Sequence, residues 1–298
     1  MLDYAALSAL AAVVREGSFE RAARALHVTP SAVSQRIRLL EERVGCALVV
    51  RGQPCAATEA GRRLCRHVDQ VRLLEQDLQV ALPALAPQDP ARVRLPIAVN
   101  ADSLATWAAP VLAAFAAEHP VLLEVVVDDQ DHTNEWLRSG AVMAAVTGTA
   151  RPAAGSNSQP LGAMRYRAAA SPAFLARHFP QGVGAGTLAR APSLVFSTKD
   201  DLQSRWARRL CHRHVELPRH VLPSSQAFVT AAEAGMGWGM CPEADIAAQL
   251  RDGRLVELVP DTPLDVALHW QHARAASTLL ERLTAAMLAA ARRALRQG

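Results

Sequence analysis

The dipeptide Thr29-Pro30 constrains this chain more than any other pair of residues. Threonine is a favoured N-cap because its hydroxyl accepts from a backbone N–H of the first turn, and proline suits the first helical position, where a missing N–H costs nothing. A helix therefore begins there. Val33, Ile37, Leu40 and Val44, spaced four, three and four, give it one apolar stripe, and Ser31, Ser34, Gln35 and Arg38 make the opposite face polar. Upstream, Leu7, Leu10, Ala11 and Val14 recur at helical spacing, and Gly17-Ser18 stops that helix and caps the next. A short helix from Phe19 to Leu26 turns Ala22, Ala23 and Leu26 inward, and a tight turn at His27-Val28 leads to Thr29.

By itself the polar-faced helix reads equally well as an ordinary amphipathic surface helix. The order helix, short helix, tight turn, polar-faced helix is that of a helix-turn-helix, and short hydroxyls, one amide and a guanidinium are the equipment for base edges and phosphates in a major groove. Leu48 to Arg51 then reads as a strand, and Gly52 to Ala57 as the turn of a wing from which Arg51 reaches the DNA backbone. The DNA-contacting set is Ser18, Thr29, Ser31, Ser34, Gln35, Arg36, Arg38 and Arg51. Charge points the same way: residues 1–66 hold ten Arg against six acidic side chains, which is the whole net surplus of +4, while the remaining 232 residues balance at 22 and 22.

From Thr58 a helical pattern continues to about Leu85, with Leu64, Val68, Val71, Leu74 or Glu75, Leu78 and Leu82 repeating at three or four. Such a seam packs either on its own domain or on a partner helix. Pro83, Pro87 and Pro90 break it and mark a linker.

Beyond Pro90 short apolar runs alternate with helical stretches. Arg94 to Val99, Val121 to Val127 and Ala144 to Gly148 read as strands, and Ser103 to Ala117 and His132 to Ser139 as helices. After a turn at Gly155 to Gln159, Leu194 to Ser197 and Trp238 to Cys241 are strand-like, and Leu202 to Arg213, Gln226 to Gly235 and Ser277 to Leu295 helical. Two α/β lobes with crossing connections follow, with a ligand in the cleft between them. Predicted domains are a winged helix-turn-helix over 1–60, a dimerising linker helix and hinge over 58–90, and a two-lobed effector domain over 91–298, with lobe I about 91–160 and 270–298 and lobe II about 161–269.

The segment Gly17-Ser18-Phe19, Ala22-Ala23, Leu26, Thr29 to Gln35, Ile37, Leu40-Glu41, Gly45, Leu48, Arg51, Thr58 and Gly61 closely resembles the DNA-binding signature of LysR-type transcription regulators. The region after Pro90 resembles the periplasmic-binding-protein-like effector domains of the same family. The resemblance implies a homodimer paired through the linker helix, assembly into a tetramer, a pseudo-palindromic promoter site, and contact with RNA polymerase that changes when a small molecule closes the lobes.

Val99-Asn100-Ala101-Asp102-Ser103-Leu104-Ala105-Thr106-Trp107 lies where a strand ends and a helix begins. Hydroxyls of Ser103 and Thr106 with free backbone N–H groups suit a carboxylate, and Asp102 either supplies the opposite charge or caps the helix. Asp128, Asp129 and Asp131 crowd a turn beside His132, as a solvated loop or an electronegative rim. Asn100 to Trp107, Asp129 to His132, Gly140 to Val146, Ser224 to Phe228, Gly235 to Gly239 with Pro242, and Trp270 are similar to the LysG and ArgP branch of the family. That branch regulates export of basic amino acids, so the resemblance implies L-lysine or L-arginine as effector and an exporter gene as target, with activation of transcription. It places Ser103 and Thr106 on the ligand carboxylate, Asp102 and one of Asp129 or Asp131 on its amines, and Ser225 and Phe228 on the opposing lobe. Asn100, Thr147, Trp107 and Trp270 complete the effector set, the tryptophans either stacking on the ligand tail or packing in the core.

Enzyme motifs are missing: there is no Gly-x-Ser-x-Gly elbow, no His-Glu-x-x-His and no Walker glycine loop, and Gly235, Gly237 and Gly239 precede a strand, where they serve a tight turn and close packing. No cofactor or metal is expected. Cys46, Cys55, Cys65, Cys211 and Cys241 are scattered and read as reduced thiols, with a peroxide-sensing pair, as in some LysR-type relatives, as the alternative. Without an apolar run near ~20 residues or a basic leader, the expected compartment is the cytoplasm.

Overall fold

The computed structural model describes residues 2–82, 84, 92–128, 133–274 and 277–297. Its N-terminal unit consists of α1 (Tyr4–Glu16), α2 (Phe19–Ala25), α3 (Pro30–Val44), β1 (Val49–Val50), β2 (Ala56–Ala57) and α4 (Glu59–Ala81). Each helix start has a side-chain cause. Asp3 accepts from the N–H groups of Ala5 and Ala6, Ser18 from Arg21, Thr29 from Ala32 and Thr58 from Gly61. Gly17 and Gly45 end α1 and α3 at φ 64° and 80°. Gly61 meets a steric demand instead: a Cβ there would lie 2.1 Å from the Leu48 carbonyl oxygen, so a side chain would push α4 off the wing.

Leu7, Leu10, Val13, Val33, Ile37 and Leu48 build the core of this unit. The predicted stripe on α3 is one residue too long, since Val44 is 43% exposed. It occupies the last helical position, and Leu48 fills the core in its place. The seam along α4 also divides. Leu64 and Val68 join the N-terminal core, whereas Leu73, which the seam omitted, is fully buried in the core of the larger unit. Leu74, Leu78 and Leu82 face outward, 47%, 51% and 51% exposed. The Asp77 carboxylate accepts from the Thr278 N–H at 2.7 Å, a second tie between α4 and the larger unit. The helix-breaking Pro83, Pro87 and Pro90 lie outside the described residues.

The larger unit opens with β3 (Val93–Asn100), α5 (Ala101–Ser103), a π-helical turn (Leu104–Ala108), α6 (Ala109–Glu118), β4 (Val121–Asp128), α7 (Thr133–Ser139) and β5 (Ala144–Thr147). It continues through β6 (Ser156–Ala170), α8 (Pro172–His178), α9 (Ala185–Leu188), β7 (Ser193–Val195), α10 (Leu202–Cys211), β8 (Arg219–Val221) and α11 (Ser225–Glu233). β9 (Gly239–Pro242), α12 (Glu243–Arg251), β10 (Val256–Glu257), β11 (Leu264–Ala273) and α13 (Thr278–Ala294) complete it. The main sheet runs β10-β6-β11-β5-β3-β4, with β9 on β6, and β7-β8 form a separate pair. β4, β3 and β5 are parallel, while β11 is antiparallel to both β5 and β6.

The two lobes are therefore parts of one curled sheet, and β6 and β11 pass through both. The predicted lobe boundaries at 160/161 and 269/270 fall inside these two strands, and the expected turn at Gly155 to Gln159 is the start of β6. Pro160, Gly162 and several alanines leave β6 without a visible two-residue alternation. Gly162, at φ 118°, is packed so closely that an added Cβ would lie 2.6 Å from the Arg296 carbonyl oxygen. Predicted Ser103 to Ala117 is also not one regular helix. Pro110 has no N–H for the next ladder bond, and the chain adopts a wider π-helical turn just before it.

Candidate functional site

α3 presents Ser31 and Gln35 to solvent at its N-terminal end, with Ser34 and Arg36 partly exposed beside them. Thr29 caps the helix and shares a 3.0 Å hydrogen bond with Ser31 Oγ. Ser18 does the same for α2, donating to Glu20 Oε2 at 2.6 Å and accepting from the Arg21 N–H. Arg38 sits 3.4 Å from Glu42 on the exposed face, and Arg51, on the wing, holds its guanidinium 5.4 Å from the Phe19 ring centroid. Helical spacing puts Ser31, Ser34, Gln35 and Arg38 on one face of α3, away from the buried Val33, Ile37 and Leu40.

The second cluster lies at the carboxyl ends of the parallel strands. Asn100 is the last residue of β3 and pairs in register with Asp128 of β4; continuing the β3-β5 register sets it beside Thr147. Asn100 and Ser103 are buried, at 1% and 0% exposure, and the Asn100 amide and the Ser103 hydroxyl have no hydrogen-bond partner among the described residues. Leaving such groups unpaired costs about 1–3 kcal/mol each, which a polar ligand would recover. Thr147 is equally buried, its hydroxyl accepting from the Thr149 N–H at 3.2 Å.

Asp102 stands between these residues and the opposite lobe. Its Oδ2 accepts from the Tyr166 hydroxyl at 2.7 Å and its Oδ1 from Ser225 Oγ at 3.0 Å. Burial pushes its carboxyl up to about 6, against the lowering effect of those two hydrogen bonds, and repulsion from Asp200 and Asp245 adds to the rise. Among the described residues, no cation is among the groups acting on it. A small cavity joins Asp102 to Phe196, Asp200, Ser225, Phe228 and Met240. The Phe228 ring reaches its position because Gly239 has no side chain: a Cβ there would lie 2.3 Å from Phe228 Cε1.

Three of the expected ligand contacts have other neighbours in this structure. The Thr106 hydroxyl donates to the Asp102 carbonyl at 2.6 Å, so its proton is engaged in the π-helical turn. Trp107 is buried in the wall of a neighbouring cavity of about 420 Å³ with Met164, Arg165 and Glu243, on the far side of Pro242 from Asp102. Trp270 is fully buried on β11 and donates its indole N–H to Thr284 Oγ1 of α13 at 3.0 Å, which makes it a core residue. Asp129 and Asp131 lie outside the described residues, as does His132. The thiols of Cys65 and Cys241 are raised by burial, the former to about 12, which opposes the thiolate that peroxide chemistry requires.

Sequence reasoning missed Tyr166, Phe196 and Asp200. Tyr166 lies on the unrecognised β6, and Asp200 sits in a polar turn that reads as an ordinary helix start. Met240 was read only as strand.

The chain matches the model of bacterial regulatory helix-turn-helix proteins of the lysR family over residues 4–62 and that of the LysR substrate binding domain over 88–292. It is 52% identical to the HTH-type transcriptional regulator ArgP of Pseudomonas fluorescens over 285 residues, 95% of this chain and 94% of that protein. It is 46% identical to the HTH-type transcriptional regulator LysG of Mycobacterium tuberculosis over 290 residues, 97% and 94% of the two chains. Among solved structures, ArgP from Mycobacterium tuberculosis superposes with a TM-score of 0.86 at 45% identity and full coverage of both chains. Full-length LysG from Corynebacterium glutamicum with bound effector Arg gives 0.76 at 37% identity, covering 99% of this chain and all of that one.

Proposed function

The chain belongs to the LysR family of bacterial transcription regulators, and from that membership we propose that it senses a basic amino acid, arginine or lysine, and controls an exporter gene for it. The observation that carries the effector assignment is Asp102: a desolvated carboxyl in the cleft, held from both sides by hydroxyls and offset by no cation among the described residues. A buried anion of this kind is a strong attractor for an ammonium or guanidinium. Ser103 and Asn100, buried and without partners among the described residues, would meet the ligand's carboxylate and amine, as a zwitterion requires. The solved LysG relative with arginine bound supports the same ligand class.

At the DNA end, Ser31, Ser34 and Gln35 address base edges from the first turns of α3, while Arg36, Arg38 and Arg51 address phosphates, and Ser18 and Thr29 hold the helix starts against the backbone. The exposed Leu74, Leu78 and Leu82 of α4 pair with the same face of a second copy, so that two heads read a pseudo-palindromic site. Effector in the cleft changes transcription to the extent that it favours one arrangement of the lobes over the other.

Calorimetric titration of the purified chain with L-arginine, L-lysine and L-histidine, repeated on Asp102→Ala, tests this. Saturable binding lost in the variant is the expected result. Absence of binding for all three overturns the effector assignment and leaves the family membership intact.

A further inference from the structure

We propose that Asp200 is the specificity-determining carboxylate of the effector cavity, receiving the side-chain cation of the ligand from the lobe opposite Asp102. This rests on the reading of the cleft as a basic amino acid site. Asp200 lies in the turn between β7 and α10 and is 6% exposed. It lines the same cavity as Asp102, Ser225 and Phe228. Its oxygens accept from Phe196 N–H at 2.9 Å and Leu202 N–H at 3.1 Å, and the Gln203 side chain also hydrogen-bonds to it; together they fix the carboxylate, whose two oxygens keep room for one further donor. Burial raises its proton affinity, as it does for Asp102, against the lowering effect of its hydrogen bonds, and among the described residues no cation acts on it.

Two carboxyls, one from each lobe, therefore border one small space of about 20 Å³, which a ligand must widen by parting the lobes, and among the described residues no cationic side chain is among the groups that act on either. A single ammonium would offset only one of them. An α-amino acid with a cationic tail carries two positive groups separated by an aliphatic stem, and it offsets both while Phe228 and Met240 cover the stem. Asp102 is followed by the unpartnered Ser103 and so matches the α-amino, α-carboxylate end; Asp200 matches the tail. Neutral amino acids of the same shape leave Asp200 buried and uncompensated, which is how the cleft rejects them.

The test compares L-arginine with its neutral isostere L-citrulline by calorimetry on the full chain, wild type and Asp200→Asn, with Asp200→Ser as a second variant whose hydroxyl keeps a bond to the Leu202 N–H without charge. The wild type is expected to prefer arginine by at least about tenfold, and both variants to lower that ratio to within about threefold while citrulline binding is retained. Arginine binding with the full preference kept in a folded variant overturns the role of Asp200 and leaves the effector class standing. Arginine and citrulline binding equally to the wild type overturns the inference without any variant, even if neither variant folds. Failure of the wild type to bind any basic amino acid overturns the effector reading and this assignment with it.

Discussion

Ser225 Oγ donates to Asp102 Oδ1 at 3.0 Å, although 123 residues separate them in the chain. Ser225 opens α11 in one lobe and Asp102 lies in the first turn of the helical segment after β3 in the other, so this hydrogen bond spans the cleft. Tyr166, on the strand that runs through both lobes, completes the grip from behind.

The raised Asp102 carboxyl gives ligand binding a definite pH dependence. A cation binds the ionised form, so arginine affinity should fall about tenfold per pH unit below about 6 and level off above it. Stability runs in the opposite sense. The folded chain holds this proton more tightly than the unfolded one, so the contribution is present at acid pH and is lost as pH rises from about 4 to about 6. Asp69, also raised to about 6 by burial, adds to the stability slope, which makes calorimetric affinity between pH 5 and 7.5 the cleaner measurement. A flat affinity profile would remove Asp102 from the site.

Tyr166→Phe deletes one of the two donors that favour the ionised Asp102. The midpoint of the arginine affinity profile should move upward in pH, with binding at pH 8 weakened by less than at pH 6. An unchanged midpoint would mean that the 2.7 Å contact does not persist in solution.

On DNA, Gln35 and Arg51 should behave differently. Gln35→Ala, measured by fluorescence anisotropy on a duplex selected from a random pool, should cost about 1–3 kcal/mol and relax preference at one position. Arg51→Ala should weaken all duplexes alike and lower the salt slope by about one. Equal losses on selected and random DNA for both variants would count against α3 as the reading helix.

Leu78→Glu places a charge on the exposed face of α4 without touching either core. Light scattering should show the assembly shifted toward monomer, with the dimer weakened by about tenfold or more. A dimer of unchanged mass would put the interface elsewhere.

Trp270→Phe should lower stability by about 1–3 kcal/mol, because the Thr284 hydroxyl loses its donor inside the core. Arginine affinity should stay within about twofold of the wild type, since Trp270 is shielded from the cavity. A selective loss of arginine binding in a stable variant would return Trp270 to the site.

The N-terminal unit was legible in the sequence because its determinants are local. Ser18, Thr29, Gly17 and Gly45 fix helix ends through bonds to neighbours two to four positions away, and the spacing of Val33, Ile37 and Leu40 reports directly which face is buried. Asp102 was legible for the same reason, as an acid at a strand-to-helix junction. The tertiary structure decided the rest. β6 became a long strand because β11 and β9 offer it partners on both sides, a condition its own residues do not announce. Trp270 became core because α13 folds over it, and Asp200 came to share a cavity with Asp102 because two turns distant in the chain close on the same space. Capping and periodicity act over one turn of chain and can be read there, whereas a buried charge acquires its role from whichever groups the fold brings opposite it.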